Sequence, residues 1–177
     1  MTTEACTAFR ESLALTRQKI PTADRLLQQL LLAHTVTLLE VYLQRLVESL
    51  IAHNDKLLLK LAETKHFESH KITLAAAIKS APKCYLQSLI KEFNFHSLGD
   101  TEPLLRQAFN IKIAITPELV NLIQLRNDVI HRNAHSKKDG QPLELTPVVV
   151  LEASDLVETL VESIDQQATL LLANSMR

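Results

Sequence analysis

Three residues near position 130 have side chains that could carry out chemistry together. They occur as Arg126-Asn127-x-x-x-His131, where x is any residue. A guanidinium binds phosphate or carboxylate through paired N–H donors, an amide donates and accepts hydrogen bonds, and an imidazole exchanges protons near neutral pH. The three side chains are therefore suited to binding an anion and to moving a proton beside it.

These residues are predicted to lie on one α-helix over residues 117–133. Thr116 is a good N-cap, and Pro117 suits the first helical position because its missing N–H needs no partner there. The helix is expected to be the penultimate long element of the chain, and residues 135–142, which are polar and contain Gly140, are predicted to form the turn that follows it.

The helical spacing separates the three side chains into two positions. At 100° per residue, Arg126 falls in the middle of an apolar stripe, whereas Asn127 and His131 lie one turn apart at its edge. A guanidinium in an apolar stripe is costly unless a carboxylate, an anionic ligand or a partner surface receives it. The opposite, solvated face is predicted to carry Asn121, Gln124, Asp128 and Arg132.

Two interpretations of Arg126 are open on this pattern. In the structural one, Arg126 forms a buried ion pair with Glu40 of a long helix, and His131 is a boundary histidine whose charge suits a helix C-terminus. In the functional one, Arg126 meets an anionic ligand. Glu40 is then either a solvated or capping carboxylate or a supporting partner of Arg126 or His131.

The segment 125–133, LRNDVIHRN, resembles the Arg-Asn-x-x-x-His signature of the HEPN superfamily. Residues 85–95 and 39–43 are also similar to the branch labelled RiboL-PSP-HEPN. The likeness covers most of the chain loosely, and only the Arg-Asn-x-x-x-His block is specific. It implies a helical bundle that forms a homodimer, with the two motif helices facing each other and RNA bound in a composite cleft.

The resemblance also implies an activity, that of a metal-independent endoribonuclease acting as a toxin or as a defence or stress effector. The ribose 2′-hydroxyl would attack the phosphate and leave a 2′,3′-cyclic phosphate. His131 would be general acid or base, Arg126 would stabilise the phosphorane, and Asn127 would orient the phosphate or His131. The alternative is a non-catalytic helical dimer that binds RNA, a nucleotide or a protein.

An antitoxin protein is a further possible partner under this resemblance. In some toxin members, a tyrosine shortly after the histidine is modified by a nucleotidyltransferase antitoxin. Residues 132–135 contain no tyrosine, which puts that kind of regulation in doubt.

RNA affinity would have to come from a local basic surface, because the formal net charge of the chain is only −1. Residues 126–138 hold four basic side chains against one acidic side chain, and two histidines there can add charge. The supporting or RNA-binding residues predicted beside the motif are Glu40, Asp128, Arg132, His135, Lys137 and Lys138.

The composition predicts an all-α fold with a single domain over residues 1–177. The chain is 46% apolar, has two glycines and is rich in helix-forming residues. Two long core helices and several short ones are expected, with a short extended segment possible over 143–150. The predicted helices are 4–18, 23–52, 73–80, 83–93, 102–109, 117–133 and 154–173, and 94–102 is predicted to be loop.

Several other classes of site fit the sequence poorly. Neither the histidine pair 66/70 nor the pair 131/135 has a carboxylate-rich third partner, so no metal and no cofactor are expected. The two glycines form no phosphate-binding loop. The two cysteines form no close pair, no leader pattern begins the chain and polar residues interrupt the Leu-rich region, so a cytoplasmic protein without a membrane span is predicted.

Overall fold

The structure is a computed structural model that describes residues 2–52, 54–75 and 81–175. Within these residues it has seven α-helices and no β-strand, apart from an isolated antiparallel bridge between His135 and Pro142. The predicted all-α class is thus confirmed. The helices are α1 (Glu4–Lys19), α2 (Arg25–Ala52), α3 (Asp55–Ala62), α4 (Pro82–Glu92), α5 (Leu98–Phe109), α6 (Pro117–His131) and α7 (Pro147–Ser175).

The two longest helices, α2 and α7, pack against each other, and α1 lies against both. In α2, one apolar face is predicted by the recurrence of Leu39, Leu43, Leu46 and Leu50 at steps of four, three and four. The structure confirms it, since these leucines are at most 1% exposed. Burying each of these side chains contributes roughly 1.5–3 kcal/mol to folding. Buried apolar residues from all seven helices form one continuous core, and α6 packs against this core through Leu119 and Leu122.

By length and composition, α2 is also apolar enough to cross a membrane. Half of the apolar window concerned is buried inside the protein, as in the core helix of a globular fold. The expectation that the chain has no membrane span stays a prediction.

The start of α1 is fastened to α7 through one buried carboxylate. The Thr3 hydroxyl caps α1 by accepting a hydrogen bond from the Cys6 N–H, and Thr3 also donates its backbone N–H and its hydroxyl to Asp165. Burial, assisted by the neighbouring Asp165 charge, raises the pKa of the Cys6 thiol to about 11. Cys6 is therefore an uncharged core residue.

Two segments differ from the predictions, and part of a third lies outside the described residues. Helix α3 was not predicted, and Asn54 starts it by accepting hydrogen bonds from two backbone N–H groups. Residues 98–102, predicted as loop, form the first turns of α5, where the Ser97 hydroxyl meets the Asp100 carboxylate at 2.6 Å. Of the predicted helix 73–80, residues 76–80 lie outside the described residues.

The extended segment that was considered possible over 143–150 is helical from residue 147 onward. Helix α7 begins at Pro147, and the Thr146 hydroxyl accepts a hydrogen bond from the Val149 N–H at 3.4 Å. A threonine followed by proline therefore starts α7 in the same way as it starts α6. The alternating pattern and the β-branched residues of 143–150 favour a strand, but the threonine and proline at 146 and 147 start a helix instead.

Candidate functional site

Helix α6, which carries the motif, begins where the sequence predicts. The Thr116 hydroxyl accepts a hydrogen bond from the Leu119 N–H at 3.3 Å, and Pro117 is the first helical residue. The backbone N–H of Glu118 and then the Thr116 hydroxyl lower the pKa of the Glu118 carboxyl. Leu119 and Leu122 are buried against the core, which fixes the rotation of α6 about its own axis.

Arg126 points from α6 towards α2, with its side chain 14% exposed. Nη2 lies 3.5 Å from the Glu40 Oε1, and Nη1 donates to the Asn127 Oδ1 at 3.2 Å. The ion pair with Glu40 that the structural interpretation predicted is thus confirmed, although neither side chain is fully buried. Nε is buried and has no hydrogen-bond partner among the described residues. The five N–H donors of the guanidinium are consequently far from saturated.

A second side chain, His96, joins Glu40, and the sequence did not point to it. The His96 Nδ1 lies 2.6 Å from the same Glu40 Oε1, and the side chains of His96 and Glu40 are 22% and 24% exposed. An ionised carboxylate only accepts hydrogen bonds, so Nδ1 must carry the hydrogen and Nε2 is the remaining ring nitrogen. His96 follows the segment 85–95 in a stretch predicted as loop, and no spacing signal linked it to Glu40.

An open cavity of about 580 Å³ lies between α6 and the segment 94–99. Asn127 and His96 both line it, so the motif and the Glu40 pair border the same space. Both apolar side chains and side chains with amide or hydroxyl groups line it. The lining residues are Asn94, His96, Ser97, Leu98, Gly99, Ile115, Val120, Ile123, Gln124 and Asn127.

His131 is the last residue of α6 and is exposed to solvent. It follows Asn127 by four residues, so the two side chains lie on the same side of the helix, as predicted. No hydrogen bond to the His131 side chain is found among the described residues. The imidazole is therefore held by its position at the helix end rather than by a partner, and it is free to meet a ligand.

Asp128 corrects the sequence analysis, which placed it on the solvated face of the helix. It is 3% exposed. Its Oδ1 accepts hydrogen bonds from the Gln124 Nε2 at 2.7 Å and the Arg132 Nη1 at 2.9 Å, and its Oδ2 accepts from the Lys137 N–H at 3.1 Å. The chain after α6 folds back over this face of the helix, and a helical wheel contains no information about such a covering segment.

The turn after His131 is held in a restricted backbone conformation. Asn133 and Ala134 have φ of 49° and 58°, and left-handed conformations are uncommon for residues other than glycine. The Ala134 N–H bonds the Asp128 carbonyl at 3.0 Å. The His135 Nδ1 lies 2.9 Å from the Asn133 carbonyl. Asp128 and its contacts therefore fix the path of the chain immediately beyond the motif.

The remaining predicted residues lie on this turn and not in the Arg126 cluster. Arg132, His135, Lys137 and Lys138 are all exposed, and of these only Arg132 forms an ion pair within the described part of the chain. The structure thus separates the predicted residues into two groups. Arg126, Asn127 and Glu40 are in contact, whereas the basic residues form a surface beyond the end of α6.

We expect Asp128→Asn to destabilise the protein by about 2 kcal/mol, because it removes a buried charge to which three groups donate hydrogen bonds. Urea unfolding followed by circular dichroism measures this change. Glu11→Gln removes an exposed carboxylate without described contacts and serves as the matched control. Equal stability of the two variants would show that the Asp128 network contributes nothing.

No group of three or more His, Cys, Asp and Glu side chains that could hold a metal ion occurs among residues 2–52, 54–75 and 81–175. The rings of His66 and His70, the pair weighed from the sequence, have centroids 6.1 Å apart.

Comparison with models of known protein families, with curated protein sequences and with solved structures finds no match for this chain. The likeness to the HEPN superfamily stays a resemblance, carried by residues 125–133.

Proposed function

We propose that this protein is a metal-independent endoribonuclease of the HEPN type. The observation that carries the proposal is the arrangement of α6: a half-buried guanidinium with unused donors, an amide beside an open cavity, and an exposed imidazole one turn further on. Arg126, Asn127 and His131 can thereby meet one phosphate and its neighbouring ribose. A metal ion is not needed for this chemistry, since the chain supplies a cation and a proton-transfer group of its own.

The proposed reaction is an intramolecular transesterification. The 2′-oxygen forms a bond to phosphorus, the bond from phosphorus to the 5′-oxygen breaks, and the 2′-proton leaves as the 5′-oxygen gains one. His131 transfers a proton, and Arg126 stabilises the charge that develops on the non-bridging oxygens. Asn127 supports the guanidinium through their 3.2 Å hydrogen bond and faces the cavity in which the substrate lies.

RNA would approach over the exposed basic residues of the turn that follows α6. Arg132, His135, Lys137 and Lys138 lie on one segment beyond His131, and phosphate contacts from such residues give affinity without sequence specificity. In this proposal the protein acts in the cytoplasm as a toxin or as a defence or stress effector, and an antitoxin protein is a possible partner.

Cleavage of RNA in the presence of EDTA tests this function. We expect products ending in a 2′,3′-cyclic phosphate, and no cleavage of a strand with 2′-deoxyribose at the scissile position, because that sugar lacks the nucleophile. Mass spectrometry of the fragments identifies the ends. Loss of activity on chelation, with recovery on adding one divalent ion, would contradict the metal-independent mechanism.

A homodimer around α6 is part of the proposal. Ile130 is 49% exposed on the motif helix, and a symmetric partner would cover this apolar side chain beside the motif. We expect a concentration-dependent dimer in sedimentation velocity experiments, and Ile130→Asp should weaken it at least tenfold. Leu170→Asp, at a more exposed position on α7, is the control and should leave the association unchanged.

The second candidate function is a binding module without catalysis. The Arg126–Glu40 pair favours it, because a carboxylate already receives the guanidinium. Such a protein would bind RNA, a nucleotide or a protein with equal affinity before and after removal of the His131 imidazole, and it would leave RNA intact. The cleavage experiment therefore separates the two functions.

A further inference from the structure

We propose that His96 is the catalytic base of the proposed cleavage: its Nε2 takes the proton from the 2′-hydroxyl of a nucleoside that lies in the cavity between α6 and the segment 94–99. This inference rests on the proposed function and deepens it. It assigns the two proton transfers to two different histidines, with His131 as the acid.

The first support is the contact with Glu40. A carboxylate 2.6 Å from Nδ1 fixes the ring orientation and the tautomer, so the lone pair of the imidazole lies on Nε2. The same pairing of a carboxylate with a histidine ring prepares the general base in serine hydrolases. It also stabilises the imidazolium that forms when the proton arrives.

The second support is the surroundings of the ring. His96 lines the cavity and is 22% exposed, and no hydrogen bond to Nε2 is found among the described residues. The charged groups around Glu40 and His96 come from two helices: Glu40 from α2 and Arg126 from α6. The other polar cavity residues, Asn94, Ser97, Gln124 and Asn127, are uncharged.

The cavity suits a nucleoside. Its volume of about 580 Å³ falls in the range of about 300–1,000 Å³ that small-molecule sites occupy. Val120 and Ile123 offer an apolar surface for a base, and the amides of Asn94 and Asn127 offer donors and acceptors. Asn127 also joins this cavity to Arg126, which puts the nucleoside beside the group that is proposed to bind the phosphate.

The protons balance over the two histidines. Neutral His96 gains the 2′-proton as the bond from the 2′-oxygen to phosphorus forms, and protonated His131 gives its proton to the departing 5′-oxygen. His131 suits the acid role because it lies one helical turn after Asn127, which lines the cavity, on the same side of α6. Solvent exchange restores both histidines after the product leaves.

The experiment compares His96→Asn with His96→Ala in the full chain. The asparagine amide reproduces the Nδ1–H donor to Glu40 but has no proton acceptor in the place of Nε2. If His96 is the base, both variants should lose about 10²–10⁴-fold in the cleavage rate. A rate in His96→Asn equal to that of the wild type would overturn the proposal while leaving the ribonuclease function intact, since His96 would then only hold Glu40.

A substrate with sulfur in place of the scissile 5′-oxygen separates base from acid, because a thiolate leaves without gaining a proton. His131→Ala should recover most of its rate on this substrate, and His96→Asn should recover none. Recovery by His96→Asn would make His96 the acid and overturn its assignment as base. Absence of RNA cleavage by the wild type, with the thio substrate also intact, would remove the proposed function and this inference with it.

Discussion

His131→Ala is expected to lower the rate of RNA cleavage by about 10²–10⁴-fold while leaving folding and RNA binding nearly unchanged. The side chain is exposed at the end of α6 and makes no hydrogen bond within the described residues, so its removal costs little packing energy. The substitution therefore removes mainly the proton transfer that His131 is proposed to carry out. Single-turnover cleavage and the Kd for a non-cleavable 2′-deoxy strand measure the two quantities separately.

His34→Ala provides the matched control for this experiment. His34 is an exposed histidine of α2 and lies outside the proposed site, so its removal should change neither quantity. Wild-type cleavage by a nuclease-free preparation of His131→Ala would show that His131 is not catalytic. The binding-module interpretation would then be the better one.

Arg126→Ala should weaken both RNA binding and cleavage, in contrast to His131→Ala. The guanidinium is proposed to meet the scissile phosphate before and during the reaction, and loss of one such donor commonly costs about 10²–10³-fold in rate. Asn127→Ala should have a smaller effect than either. The rate of RNA cleavage and the Kd for the non-cleavable 2′-deoxy strand distinguish these outcomes.

The pair with Glu40 requires a control of its own, because Arg126→Ala leaves a half-buried carboxylate without its guanidinium. Arg126→Lys keeps the charge and loses the planar fork, and it should not restore cleavage. Arg45→Ala, at an exposed arginine of α2, should leave the cleavage rate and the Kd unchanged. Restoration of full activity by Arg126→Lys would mean that the site needs only a positive charge.

The sequence predicted the motif helix well because local signals fixed it. Thr116 and Pro117 determine where α6 begins, and the apolar positions set which side of the helix faces the core. The same periodicity placed Arg126 in the apolar stripe, and its ion pair with Glu40, 86 residues away in the chain, was one of the two interpretations left open. In α2, too, the repeated leucines were sufficient to predict the buried face.

The failures come from contacts that depend on tertiary structure. Asp128 was predicted to be solvated because the helical pattern does not show that residues after α6 cover its face. The contact between His96 and Glu40 was missed because His96 lies in a segment without helical periodicity. The segment 143–150 was misjudged for a different reason. Its β-branched residues outweighed the helix start at Thr146 and Pro147, which was recognised at Thr116 and Pro117 but not there.

Three consecutive residues of α6 point in three directions: Arg126 to Glu40, Asn127 to the cavity and Asp128 to the following turn. A single inserted or deleted residue upstream within the helix would turn all three by about 100° and break every contact at once. Changes of length are therefore not tolerable between Pro117 and Leu125, whereas the connection at 138–142 is exposed to solvent. Natural variation among relatives of this chain should follow that boundary, with gaps confined to the connections.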